Sequence, residues 1–262
     1  MSKSHSTLKA NIIFIIALIT AAAVFITSAV MLIMKLLPEN YDYDRFKNID
    51  YSAYASDGSS DVIIELSEKG ENPINFDELL AHNPDVCGWI MVEGTSIDYP
   101  ILRNTEKDFY LNHNLDKKKD VGGSIYIESL NYDDFSDPNT VIYGHNMLNG
   151  SKFATLKKFR DADFFNTNKY IYIYTPGHIY RYQIFSAFVY DDRHLLNSYN
   201  FYIRQGMQAF IDVCKKPPSL VKNVRDMSVT PDDKLITLST CTSKKNERYL
   251  VVAKFIEDIE TK

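Results

Sequence analysis

The sequence predicts a mainly β fold, a closed or nearly closed barrel of eight strands with peripheral helices, behind one transmembrane helix. Three observations lead there. Residues 10–34 carry no charge; runs of β-branched and aromatic residues, separated by turn residues, recur from Gly88 to Ile256; and two stretches among them place apolar residues at helical spacing instead.

The uncharged stretch, Ala10 to Met34, is 25 residues long. At roughly 1.5 Å per residue it reaches about 37 Å as a helix, more than the ~30 Å of a hydrocarbon core. Lys3 and Lys9 precede it with no acid, whereas Lys35 is followed by Glu39, Asp42 and Asp44. The positive-inside rule then predicts a cytoplasmic N-terminus, residues 1–9, and an extracellular domain on a single-pass anchor. A cleavable signal peptide also begins basic, but its apolar core ends after about 7 to 15 residues; this one continues through Val30, Leu32, Ile33 and Met34.

The whole chain holds 29 Lys+Arg and 34 Asp+Glu; removing residues 1–34 removes two lysines, leaving 27 − 34 = −7. Such an acidic remainder lacks the basic face of a nucleic-acid binder.

Residues 35–75 read as a linker or stalk with room for a short helix. They are rich in Asn, Asp, Ser and Tyr, with one apolar patch, Val62-Ile63-Ile64. The domain proper then spans 76–262. Phe76 to Ala81 predicts a short helix, stopped near Asn83-Pro84.

The strands are expected at Gly88–Val92, Ile97–Leu102, Ser124–Ile127, Thr140–Tyr143, Tyr170–Tyr174, Ile179–Tyr190, Leu235–Thr240 and Tyr249–Ile256. Eight short strands point to closure into a barrel. Alternation is plain in Tyr170-Ile171-Tyr172-Ile173-Tyr174, and half-buried strands account for the tyrosines without a ligand. Ser151–Phe165 has Phe153, Leu156, Phe159 and Ala162 at helical spacing. Tyr199–Cys214 places Tyr202, Ile203, Met207, Phe210, Ile211 and Cys214 on one face, ahead of Lys215-Lys216-Pro217-Pro218.

The three cysteines, Cys87, Cys214 and Cys241, lie far apart. An odd number in an exported domain leaves at least one thiol unpaired, and their spacing is not that of a zinc site. Cys87 and Cys214 fit as small buried hydrophobes. Cys241 instead ends the strand Leu235–Thr240, where the polar loop Thr242–Glu247 begins, and a nucleophile needs such a rigid yet reachable position.

Arg248 opens the following strand. In a hairpin it would stand beside Cys241, with five donors for a developing oxyanion. His145 leaves the strand Thr140–Tyr143 through Gly144, which permits a tight bend; His194, in the loop Asp191-Asp192-Arg193-His194, is its rival.

Thr237-Leu238-Ser239-Thr240-Cys241 resembles the T-L-x-T-C signature of sortases. Tyr143-Gly144-His145 resembles their histidine turn, and Arg248 to Ala253 is similar to their arginine strand, all in family order. The resemblance extends from about Phe76 to Ile256. It implies an eight-stranded barrel whose cysteine cleaves a C-terminal sorting signal after threonine and transfers the acyl group to a cell-wall amine, with no cofactor or metal.

Gly88-Trp89-Ile90, Ile97-Asp98-Tyr99-Pro100-Ile101 and the helix before the cysteine strand resemble class B. Asn83-Pro84-Asp85 does not match the lid of pilus-polymerising members, and the tail Lys254–Lys262 is charged. The short loop before Arg248 departs from the pattern, and its Lys244 and Lys245 are alternative oxyanion partners.

The implied mechanism has Cys241 attack the threonine carbonyl, Arg248 stabilise the oxyanion, and His145 protonate the departing amine. A peptidoglycan amine, on the wall polymer or its lipid-linked precursor, then resolves the thioacyl-enzyme. Leu111, Ser239 and Thr240 are expected to line the pocket for the partner proteins' sorting signal. Two other readings compete: an L,D-type peptidoglycan transpeptidase, whose S-x-G-C-type motif lacks its glycine in Ser239-Thr240-Cys241-Thr242, and a non-enzymatic anchored barrel that binds surface ligands.

Overall fold

The computed structural model describes residues 2–36, 41–47, 70–244 and 246–261. The patch Val62-Ile63-Ile64 and Lys245 lie outside the described residues. The chain divides into two compact units, residues 1–39 and 40–262.

In the first unit, helix α1 (Ser2–Leu36) contains Phe14–Leu32, a stretch long and apolar enough to cross a bilayer. Thr20 and Thr27 donate their hydroxyls to carbonyls three or four residues back, so their polar groups are satisfied within the helix.

The second unit is the expected barrel. Its strands are β1 (Val86–Val92), β2 (Asp98–Leu102), β3 (Ile125–Ile127), β4 (Asn139–Tyr143), β5 (Tyr170–Thr175), β6 (His178–Asp191), β7 (Lys222–Val224), β8 (Leu235–Cys241) and β9 (Glu247–Glu260). They are joined in the order β5-β1-β2-β3-β4-β8-β9-β6, and β6 pairs back onto β5, closing eight strands into a ring. Two pairings, β2–β3 and β4–β8, are parallel; the others in the ring are antiparallel.

β7 flanks β6 and was not expected. It is three residues long and partly exposed, too short for a period-two pattern to register.

Alternation separates two apolar clusters in the barrel wall, and the helix Arg204–Lys215 covers a third that includes Val141 and Phe188. Ile90, Ile101, Ile125, Ile142, Ile173, Ile184, Leu238 and Val251 fill one buried cluster with Phe153, Leu156 and Phe159. The opposite faces of β1 and β5 carry Trp89, Met91, Tyr172 and Tyr174, covered by Phe46 and by Phe76 and Leu79 of helix α2 (Phe76–His82). Asn75 caps α2 by accepting the Glu78 N–H at 3.1 Å. Residues 41–47, within the stretch expected as stalk, lie on this second cluster, and Phe46 is fully buried.

The two expected helices differ in extent. Ser151–Phe165 is a 3₁₀ helix (Ala154–Arg160) followed by helix α3 (Ala162–Thr167). The break falls at Asp161, whose extended backbone and side chain, accepting from Phe164 N–H at 2.8 Å, start a second helix.

Helix α4 (Leu195–Ser198) occupies part of the following loop, and helix α5 spans only Arg204–Lys215. Met207, Phe210, Ile211 and Cys214 are buried as expected, but Tyr202 and Ile203 are exposed. Asn200 is the reason: its side chain accepts the Tyr202 N–H, and its carbonyl accepts the Ile203 N–H, holding a turn that delays the helix.

Candidate active site

β4 and β8 are parallel neighbours, so both run toward the same end of the barrel. Tyr143 pairs with Ser239, and the Gly144 N–H donates to the Ser239 carbonyl at 3.3 Å. Carried two residues on, this register brings His145 level with Cys241. On the other side β8 and β9 are antiparallel, and Cys241 pairs directly with Arg248. Three adjacent chain segments, about 4.8 Å apart, therefore present imidazole, thiol and guanidinium side by side.

Two further bonds fix the histidine segment to β8. Thr240 donates its hydroxyl to the Gly144 carbonyl at 2.7 Å, and the Asn146 amide donates to the Cys241 carbonyl at 3.0 Å. The Phe153 N–H closes the loop on the His145 carbonyl at 2.9 Å.

Gly144 was expected to permit a tight bend. It does not adopt a left-handed conformation; rather, a Cβ there would stand 2.5 Å from Ile125 Cδ1 and 2.7 Å from Phe153 Cγ. Space, and not backbone freedom, calls for glycine.

His145, Cys241 and Arg248 line one open cavity of about 240 Å³, together with Leu111, Ser239 and Thr240. His145 Nε2 lies 2.7 Å from the Leu111 carbonyl. A carbonyl only accepts, so Nε2 carries the hydrogen and Nδ1 is the nitrogen left for proton exchange. Leu111 thus serves the histidine through its backbone and presents its exposed side chain to the cavity. Ser239 and Thr240 are nearly buried, and the Thr240 hydroxyl is already committed to Gly144.

All three cysteines are free thiols, and Cys241 alone of them is exposed. Burial pushes the Cys87 thiol well above its ordinary range, assisted by Asp133, and the thiol donates to the Ile101 carbonyl at 3.4 Å. Burial alone does the same to Cys214. Both are held protonated and inert.

Lys244 does not line the cavity; its amine meets Glu247 Oε1 at 3.0 Å. Arg248 donates to the Glu247 carbonyl at 3.3 Å. His194 does line the cavity, but its Nε2 lies 2.9 Å from Glu128 Oε2, and Glu128 also accepts from the Ser129 hydroxyl at 3.0 Å. Among the described residues no cluster of three His, Cys, Asp or Glu side chains is gathered for a metal ion.

Sequence reasoning missed Glu128, Tyr143 and Tyr190 in the cavity wall. Tyr143 and Tyr190 sit at the exits of β4 and β6, the position that singled out Cys241. Glu128, one residue past β3, gave no signal, since a lone acid at a strand exit ordinarily faces water.

A thiol, an imidazole and a guanidinium at one end of a closed barrel form the layout of a cysteine-dependent acyl transferase. The comparisons narrow the class. A family model described as "Sortase domain" matches residues 90–256. The chain is 34% identical over 178 residues to Sortase B of Listeria monocytogenes, covering 68% of this chain and 71% of that protein. It is 31% identical over 185 residues to Sortase B of Staphylococcus aureus, covering 70% and 75%.

Among solved structures, a cysteine-to-serine mutant form of Clostridium perfringens sortase B superposes with a TM-score of 0.68 at 32% identity, covering 84% of this chain and all of that one. The Staphylococcus aureus sortase B–substrate complex gives 0.63 at 29% identity, covering 75% and 91%. The chain belongs to the sortase family, is most like its class B members, and is a cysteine transpeptidase.

Proposed function

We propose that the enzyme cleaves a C-terminal sorting signal after threonine and joins the released protein to a peptidoglycan amine. Cys241 is the nucleophile, Arg248 and a backbone N–H hold the tetrahedral oxyanion, and His145 passes the proton to the departing amine. The thioacyl-enzyme is then opened by an amino group of the wall or of its lipid-linked precursor, with His145 as base. The strand register that aligns Cys241 with Arg248 and His145 supports this reading most directly.

The client proteins pass through the cavity lined by Leu111 and Ser239, with Thr240 bracing its floor. Helix α1 anchors the chain in the cell membrane, N-terminus inward, and holds the domain beside its wall substrate; residues 1–9 act as cytoplasmic tail and 10–34 as anchor, and the catalytic domain expected at 76–262 also takes in residues 41–47 of the expected stalk, which pack on it.

The test is incubation of the enzyme with a library of sorting-type peptides and an amine acceptor. Cys241→Ala is expected to abolish both the thioester and the transferred product; transfer surviving in that variant would remove Cys241 from its role. Arg248→Lys keeps charge but loses the planar fork, and a fall in kcat/KM of about tenfold to a hundredfold is expected if bidentate geometry holds the oxyanion.

A further inference from the structure

A second, larger cavity of about 420 Å³ adjoins the catalytic one, within the ~300–1,000 Å³ range of small-molecule sites. Its wall includes Asp137, Asn139, Asn197, Tyr199, Asn200 and Tyr202. The two cavities share the chain segment that leaves β6: residues 190–195 line the first, and 196, 197 and 199–202 the second. Across the boundary, the Tyr190 and Tyr199 hydroxyls are hydrogen-bonded at 2.8 Å. Glu128 lines the first cavity, and Leu130 and Asn131 the second.

The chemistry of the second cavity is selective. Among the described residues no Lys, Arg or His lines it, which disfavours a phosphate or carboxylate ligand. The charged residue among those described, Asp137, is buried, with one oxygen accepting from the Tyr132 N–H at 2.7 Å and the other from the Tyr202 hydroxyl, so it braces the wall. What remains is amide and aromatic, with Leu130, Pro138 and Leu196 as the aliphatic part of the wall. Tyr202 exposes 66% of its surface while its hydroxyl is held by Asp137, giving a fixed ring whose face is open. Asn139, a residue of the wall, has its side-chain N–H₂ buried with no partner among the described residues, although its carbonyl oxygen accepts from Thr237 at 2.8 Å.

A neutral ligand with one apolar ring face and many hydroxyl or amide groups suits this combination. The C–H face of a pyranose covers a tyrosine ring, and amide side chains both donate to and accept from hydroxyl and acetamido groups. We propose that this cavity is a saccharide subsite, which takes an N-acetylated amino sugar of the acceptor and thereby presents the attached stem-peptide amine to the thioacyl-enzyme next door. The assignment to the acceptor rests on the function proposed above.

Two measurements separate the inference from that reading. Full-length Cys241→Ala enzyme in detergent micelles is titrated with the neutral disaccharide N,N′-diacetylchitobiose, which has no lactyl carboxylate, and followed by NMR. Saturable binding is expected, weakened about fivefold to tenfold by Tyr202→Ala, the loss of one aromatic contact, and retained by Tyr202→Phe, which keeps the ring.

In the second measurement the active enzyme is given the disaccharide-bearing muropeptide or the same stem peptide without its sugars. The sugar-bearing acceptor is expected to be preferred, and Tyr202→Ala to erase the preference. Absence of saturable disaccharide binding, or equal affinity in wild type and Tyr202→Ala, overturns the subsite. Binding that is intact while no thioester forms on Cys241 would instead strike the proposed function and leave the saccharide site standing. Equal use of both acceptors by a wild type that does bind the disaccharide overturns the link to the acceptor.

Discussion

A methyl group on Gly144 would overlap Ile125 and Phe153, side chains of the buried barrel cluster. Interiors at crystal-like density transmit such a conflict to the backbone. The next residue is His145, whose ring must keep its 2.7 Å bond to the Leu111 carbonyl. Gly144→Ala is therefore expected to cost about 1–3 kcal/mol of stability and, separately, to lower kcat far more than KM, because the histidine moves while the substrate cavity remains. Urea unfolding alongside steady-state kinetics checks this. A variant that is destabilised yet retains its kcat would show that the histidine loop absorbs the strain without displacing the imidazole.

At the scale of elements, the strands were legible because each carries a buried face that its neighbours cannot substitute. Leu235-Ile236-Thr237-Leu238 and Thr140-Val141-Ile142-Tyr143 announce themselves, and their exits mark the site. The 199–214 helix was legible only from Arg204 onward. Tyr202 and Ile203 keep the apolar spacing of its stripe, but the side-chain bond from Asn200 overrides periodicity, an effect that hydrophobic patterning does not register.

The histidine loop shows the same limit. Lys152 reads as a surface lysine, yet it is buried, in a left-handed conformation, with its amine 3.2 Å from the Tyr43 hydroxyl and over the rings of Tyr43 and Tyr99 at 5.5 and 5.3 Å. Burial lowers its pKa from 10.5 to about 8 against the opposing pull of Asp120. Below about pH 8 the amine is charged in both folded and unfolded chains and the burial penalty is felt in full. As pH rises from about 8 toward 10.5 the native state has lost a proton that the unfolded chain keeps, so stability rises with pH in that window. Between pH 7 and pH 9.5 the wild type is expected to gain about 2 kcal/mol. Lys152→Met should remove that dependence, as read by denaturant unfolding at the two pH values. A gain of equal size in both proteins would assign it to other groups.

At the scale of the whole molecule, the boundary of the folded unit falls before Tyr41 and not at α2. Phe46 is fully buried against the cluster that includes Trp89 and Leu79. Around it the Asn75 N–H donates to the Phe46 carbonyl at 2.7 Å, Lys47 reaches Asp98 at 2.5 Å, and the Trp89 ring N–H meets the same carboxylate at 2.6 Å. A chain beginning at Asn40 is expected to fold and to keep the melting temperature of the domain. One beginning at Gly70 opens the Phe46 site and takes Lys47 away from Asp98, a loss of about 3–5 kcal/mol by analogy with removing a core phenylalanine, or roughly 10 °C in melting temperature. Because Tyr43 also contacts Lys152, at the end of the loop that carries His145, the shorter chain should lose activity even where it remains folded. Calorimetry of the two truncations, with transfer assayed well below either midpoint, distinguishes the outcomes. Equal melting temperatures would mean that 41–47 rests on the barrel without stabilising it. Equal activity with unequal melting would confine the segment's role to stability and detach it from the histidine loop.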